Sequence, residues 1–158
     1  MRWEVVGLVL GWTIGLVSLP LVIVALFSCF TEGLEASIRT FSIPLILSLL
    51  AGYALVSRAG SDDASSRVRD REAFASVALG WIPVVVIGAM PYWLGGMFFG
   101  PFGGHWYPGS EYTTSEISLG LLHSWFESMS GFTTTGASLI DVTTSPVCGG
   151  EFGGDCVS

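Results

Sequence analysis

Three long apolar runs constrain the fold of this chain more than any other feature. Residues 5–30, 41–56 and 73–98 contain no charged side chain. About twenty apolar residues are needed to cross the roughly 30 Å of hydrocarbon in a bilayer. The second run reaches that length when it is extended to Ile38, with Arg39 snorkelling to the interface. The sequence therefore predicts three membrane-spanning helices, and a content of 51% hydrophobic and 12% charged residues excludes an ordinary soluble domain.

The distribution of arginine predicts how these helices are oriented. All six cationic side chains are arginine, and four of them lie between the second and third runs: Arg58, Arg67, Arg69 and Arg71. Because positively charged loops are retained in the cytoplasm, the amino terminus and residues 58–72 are expected on the cytoplasmic side. The net charge of −7 excludes a basic nucleic-acid-binding surface. We therefore expect a multi-pass protein of the cell membrane whose partner is the bilayer and not a nucleic acid.

Residues 99–112 and 139–158 are then expected outside the cell. The second of these segments contains Cys148 and Cys156. They could form a disulfide if the compartment is oxidising, and the sequence leaves this pairing open.

A fourth helix of a different kind is predicted after the outer loop. Thr113 and Glu116 have the spacing of a capping box, in which each side chain satisfies a backbone donor of the first turn. The apolar stretch between Glu116 and Glu127 is ten residues long, too short to cross a membrane. The helix is expected to end at Gly131. Its periodicity is compatible both with a re-entrant helix and with a helix lying flat at the interface.

The polar segment 132–138, FTTTGAS, favours the re-entrant alternative. Non-helical backbone at membrane depth is tolerated only where it is buried in protein or lines a watery cavity. Backbone carbonyls with small side chains can replace the hydration shell of a cation. Glycine permits the backbone angles that such a row of carbonyls requires, and the preceding helix directs its negative carboxyl end toward the ion. The segment therefore predicts an ion-coordinating backbone.

Enzymatic alternatives fit the sequence less well. A phosphate loop requires a lysine, and the chain has none. A serine hydrolase with Ser130 as nucleophile requires a base within hydrogen-bond reach, whereas His123 lies two helical turns away and is expected to be a packed core residue. Glu127 could be a cation ligand or a general base, but the interpretation we favour is an anchor for the following loop through backbone donors. We expect no enzyme.

Two stretches within residues 71–140 resemble a known family. "REAFASVALGWIPVVVIGAMPYWL" followed by "SWFESMSGFTTTGASLI" is similar to the first pore repeat of the Trk, Ktr and HKT potassium transporter superfamily, closest to the TrkH branch. The resemblance implies an all-α membrane protein with four helix, pore-loop, helix repeats around a pseudo-fourfold axis. Residues 1–57 would be an amino-terminal helix pair, 73–98 the outer helix of the first repeat, and 113–138 its pore helix and selectivity filter.

The resemblance also implies roles for individual residues. Thr134, Thr135, Gly136 and Ala137 would line one quarter of the filter and bind K⁺, or Na⁺, through main-chain oxygens, without a cofactor. The flanking residues would be Thr133 and Ser138, and the supporting residues Glu127, Ser130 and Gly131. The implied partners are the remaining repeats, a second copy of the full-length protein and a cytoplasmic nucleotide-binding regulatory subunit.

The chain departs from the family pattern because it holds one filter segment and stops at Ser158, before the inner helix of its own repeat. We therefore expect an amino-terminal fragment of a transporter. The alternative is a small non-conducting membrane adaptor or assembly protein that retains a pore-loop sequence.

Overall fold

The computed structural model describes residues 2–59, 69–103, 111–141 and 145–146. Four helices are described, in the order α1 (Trp3–Thr31), α2 (Leu34–Arg58), α3 (Asp70–Leu94) and α4 (Thr114–Phe132), and these described residues contain no β-strand. The first three helices are long and apolar enough to cross a membrane, as the sequence predicted. Cys148 and Cys156 lie outside the described residues, and so does much of the loop that contains Arg67.

The helix ends differ from the ends of the apolar runs for local reasons. Gly33 reverses the chain with a φ of +99°, so α2 begins directly after it. Glu35 and Arg39 consequently belong to α2, where their side chains pair one turn apart at 2.8 Å. On the same side of the molecule, α3 stops at Leu94 because Gly95 and Gly96 follow, the latter with a φ of +79°.

Helices α1 and α2 form a hairpin whose backbones touch. A Cβ atom added to Gly11 would lie 2.9 Å from the carbonyl oxygen of Gly52, and one added to Gly52 would lie 3.0 Å from the carbonyl oxygen of Gly11. Small residues allow membrane helices to approach this closely, which increases the van der Waals contact between them. The two glycines therefore fix where α1 and α2 cross.

An ion pair joins the amino-terminal ends of α1 and α3. Glu72 is 1% exposed and accepts hydrogen bonds from the Arg2 backbone N–H (3.1 Å), from Arg2 Nε (3.1 Å) and from Arg2 Nη2 (2.9 Å). The backbone N–H of Arg69 donates to the same carboxylate at 3.1 Å, as in a capping box. Because their first turns are joined, α1 and α3 start at the same side of the molecule, and α2 runs in the opposite direction.

Large apolar side chains cover the outside of the three long helices. Trp12 is 62% exposed, Ile23 68%, Phe27 69% and Phe74 77%. A soluble monomer rarely exposes contiguous apolar patches of more than a few hundred Å², whereas a bilayer solvates them. Helix length and surface together indicate a multi-pass membrane protein.

Candidate functional site

The predicted capping box fixes the start of α4. The Thr113 hydroxyl accepts a hydrogen bond from the Glu116 backbone N–H at 3.4 Å. In return, the Glu116 carboxylate accepts from the backbone N–H of Thr113 at 2.7 Å and from its hydroxyl at 2.8 Å. These two hydrogen bonds, the backbone one above all, hold the pKa of the Glu116 carboxyl below its usual value. The capping-box prediction is confirmed.

Helix α4 packs lengthwise and antiparallel against α3. Near its beginning, the Ile117 carbonyl accepts a hydrogen bond from Trp93 Nε1 at 3.1 Å. Near its end, the buried Ser128 hydroxyl donates to the Val85 carbonyl at 2.8 Å. A Cβ atom added to Gly88 would lie 2.7 Å from Ser128 Oγ and 2.8 Å from the Phe132 ring. The end of α4 therefore lies beside Gly88, six residues before α3 ends.

The chain segment after α3 also packs against α4. A Cβ atom on Gly120 would lie 2.0 Å from the carbonyl oxygen of Phe99, so only glycine fits there. One turn further on, the His123 ring meets the fully buried Phe98 ring edge to face at 5.6 Å. The buried Nδ1 of His123 has no hydrogen-bond partner among the described residues. His123 is a packed residue that does not contact Ser130 in the described part of the chain. The two groups of the hydrolase alternative are thus not brought together.

A Schellman motif ends α4, one residue beyond the predicted end at Gly131. The Thr134 backbone N–H donates to the Gly131 carbonyl at 3.2 Å, and the Thr135 backbone N–H donates to the Ser130 carbonyl at 3.0 Å. The residue at the centre of this motif adopts a left-handed conformation and is usually glycine or asparagine. Here it is Thr134, with a φ of +55°. A β-branched residue with positive φ is a conformational outlier.

After this turn the chain runs back along α4, and we name residues 133–139 the return loop. The Ser130 hydroxyl donates a hydrogen bond to the Ala137 carbonyl at 2.6 Å. One turn earlier on α4, Glu127 Oε1 accepts hydrogen bonds from the Ser138 hydroxyl, at 2.8 Å, and from the Leu139 backbone N–H. The contacts step backward along α4 as the chain advances. The return loop is therefore anchored to the last two turns of the helix.

The tip of the return loop consists of Thr134, Thr135 and Gly136, which are all exposed. In the part of the chain that the structure describes, none of their carbonyl oxygens accepts a hydrogen bond. The φ angle is positive at Thr134 and, at +72°, at Gly136, and negative at Thr133, Thr135 and Ala137. Positive and negative φ angles thus alternate along the tip. A Cβ atom at Gly136 would contact none of the described residues, so the constraint that they place on Gly136 is conformational and not steric.

The structure brings together most of the residues singled out from the sequence. Glu127 and Ser130 hold the return loop, and the Gly131 carbonyl takes part in the Schellman motif. The hydroxyls of Thr133 and Thr135 lie 2.8 Å apart across Thr134. Sequence reasoning missed two features, the left-handed Thr134 and the bond from Ser130 to Ala137. A threonine where a helix normally ends with glycine was the only available signal.

The fold and this site define a helical multi-pass membrane protein in which a helix and a return loop pack on a spanning helix. Among known proteins, the chain is similar to the Trk system potassium uptake protein TrkG of Escherichia coli (strain K12), with 29% identity over 139 residues. The match covers 86% of this chain and 23% of TrkG, so the chain spans less than a quarter of the length of that relative. The resemblance to Trk-type membrane subunits is confirmed. No family model matches the chain, and no solved structure matches it.

Proposed function

We propose that this chain forms the first pore repeat of a potassium uptake transporter of the Trk type, with the ion passing the tip of the return loop. The observation that carries this proposal is the row of carbonyl oxygens at Thr134, Thr135 and Gly136, which are exposed and accept no hydrogen bond in the described part of the chain. A cation that loses its hydration shell needs such oxygens. The name of TrkG as a potassium uptake protein points to the same substrate.

Four residues supply main-chain oxygens in this proposal: Thr134, Thr135, Gly136 and Ala137. The Ala137 oxygen already accepts the hydrogen bond from Ser130, and a carbonyl oxygen retains a second lone pair for a cation. Thr133 and Ser138 flank the site. The carboxyl end of α4 adds the negative end of its dipole at the tip, which stabilises a cation there.

The packing of α4 supports a re-entrant position for the loop. At 1.5 Å per residue, Gly88 lies roughly 9 Å from the end of α3 and about 27 Å from its beginning. The tip, which follows Phe132 beside Gly88, is then well inside the thickness of the membrane. A helix lying flat at the interface would cross α3 at a steep angle, whereas α4 follows α3 over several turns.

One loop supplies at most a quarter of the oxygens that enclose a K⁺ ion, so the proposal includes three further repeats. A second copy of the full-length protein and a cytoplasmic nucleotide-binding regulatory subunit complete the proposed assembly, with the amino terminus of this chain in the cytoplasm. The exposed apolar side chains of α4, among them Leu122, Trp125 and Met129, would pack against those repeats. The ion is K⁺, with Na⁺ as the competing substrate.

Potassium flux into liposomes tests this function in two arms. Liposomes that contain the complete transporter with this chain as its first repeat should take up K⁺, and liposomes that contain only residues 1–158 should not. Flux through the short polypeptide alone would contradict the quarter-filter arrangement. Absence of flux with the complete transporter would favour the alternative, a non-conducting adaptor.

A further inference from the structure

Thr134 holds an unfavourable backbone conformation at the tip of the proposed filter. Among the described residues it is the one non-glycine residue with positive φ. The left-handed conformation brings the Cβ atom of an L-residue close to the following carbonyl oxygen. Branching at Cβ adds to this crowding, and glycine or asparagine would adopt the same conformation more easily. The turn is therefore imposed on Thr134 by its surroundings.

The contacts that impose the turn act on both sides of Thr134. On the helix side are the two Schellman hydrogen bonds to Ser130 and Gly131. On the return side are the anchors that Ser130 and Glu127 provide. None of these contacts reaches the carbonyl oxygens of the tip itself. A cation bound to those oxygens would supply the missing stabilisation.

We infer that Thr134 is a positioning residue that sets the K⁺ concentration at which the tip adopts its coordinating geometry. This inference rests on the proposed function. In this inference the contacts on both sides of Thr134 offset only part of the strain. Without K⁺, a fraction of the molecules therefore relaxes toward negative φ at Thr134, which rotates the adjacent peptide carbonyls. Because K⁺ binds the left-handed form, the apparent affinity is the intrinsic affinity reduced by the fraction of molecules in that form.

Rubidium uptake by the complete transporter, expressed in cells that lack their own potassium uptake, tests this inference. Thr134→Gly and Thr134→Asn remove most of the conformational strain. They should therefore lower the half-saturating Rb⁺ concentration by about 5- to 30-fold, with a smaller change in the maximal rate. Two variants serve as controls. Thr133→Gly alters a neighbour with a φ of −84°, where no strain is relieved, and Thr134→Val keeps the branched Cβ but lacks the hydroxyl.

Neither control relieves the strain at Thr134, so neither should lower the half-saturating concentration. The inference is overturned if Thr134→Gly and Thr134→Asn transport Rb⁺ with an unchanged half-saturating concentration, or if Thr134→Val lowers it equally. If Thr134→Gly fails to reach the membrane, the half-saturating concentration of Thr134→Asn alone tests the inference. Failure of the proposed function looks different, because the wild-type transporter would then show no saturable Rb⁺ uptake at all.

Discussion

The hydroxyl of Ser130 donates a 2.6 Å hydrogen bond to the carbonyl oxygen of Ala137 and so closes the return loop onto the last turn of α4. Glu127 holds the loop one turn earlier on the helix. Both anchoring residues belong to α4, and α4 is hydrogen-bonded to α3 through the Ser128 hydroxyl and the Val85 carbonyl. The position of the loop tip therefore depends on the packing of α4 against a membrane-spanning helix.

Replacing Ser130 with alanine should loosen the return loop. The variant loses one hydrogen bond of a buried hydroxyl, worth about 0.5–1.5 kcal/mol, and we expect lower Rb⁺ uptake at limiting concentration as well as a lower melting temperature. Ser118→Ala is the matched control, because among the described residues the exposed Ser118 hydroxyl bonds only to the Thr114 carbonyl of its own helix. Equal effects of the two substitutions on uptake would argue against an anchoring role for Ser130.

Replacing Gly88 with alanine should separate α4 from α3. The new Cβ atom would lie 2.7 Å from Ser128 Oγ and 2.8 Å from the Phe132 ring, so the helices must move apart. We expect a loss of about 1–3 kcal/mol, as for other overpacked sites. Gly80→Ala on the same helix meets only Leu10 at 3.4 Å and should be neutral or stabilising. Thermal unfolding in detergent compares the two, and a Gly88→Ala variant as stable as Gly80→Ala would contradict the packing described.

Replacing Glu72 with glutamine should weaken the contact between the first turns of α1 and α3. Glutamine turns an NH₂ group toward donors on Arg2 and Arg69 and leaves a buried donor unsatisfied, which costs about 1–3 kcal/mol. The exposed pair of Glu35 with Arg39 provides the control. Glu35→Gln should change stability by less than about 1 kcal/mol. Chemical unfolding measures both, and the prediction fails if the two variants lose the same stability.

A cysteine placed at Ser65 should resist a membrane-impermeant maleimide added to intact cells, because the arginine-rich segment is predicted to be cytoplasmic. The background for this experiment lacks the native Cys29, Cys148 and Cys156. Ser115→Cys, at the exposed start of α4, is the positive control and should be labelled from outside. Labelling of Ser65→Cys alone would indicate the opposite orientation, and labelling of both positions would contradict the predicted one.

The features that the sequence predicted correctly all depend on local signals. Uncharged runs of sufficient length predict the three spans because the hydrocarbon thickness sets the requirement. Thr113 and Glu116 predict the start of α4 because a capping box forms within four residues. The start of α2 at Leu34 was missed because Glu35 lies outside the apolar run, even when that run is extended to Ile38 and Arg39. In the structure Glu35 pairs with Arg39 within one helical turn.

The remaining features depend on residues distant in sequence or on backbone conformation. Nothing near Arg2 indicates that its partner is Glu72, seventy residues away. The FTTTGAS segment predicted an ion site at residues 134–137, but it did not indicate which of these residues has a strained backbone conformation. A threonine at the centre of a Schellman motif contradicts its own conformational preference, so only the surrounding contacts place it there.

Substitution of Gly136 tests the central claim most directly, because a Cβ atom at that position meets no neighbour among the described residues and would act on this loop through its backbone. With a φ of +72°, Gly136→Ser strains the tip and turns a carbonyl away from the ion. The measurement is Rb⁺ uptake and growth at limiting potassium of a potassium-uptake-deficient strain that expresses the complete transporter, with Na⁺ uptake measured in parallel. The account predicts that Gly136→Ser lowers Rb⁺ uptake while sparing Na⁺, and that Thr133→Ala has a smaller effect. Unchanged Rb⁺ uptake in Gly136→Ser would remove this residue from the ion path and contradict the assignment of the return loop as a filter.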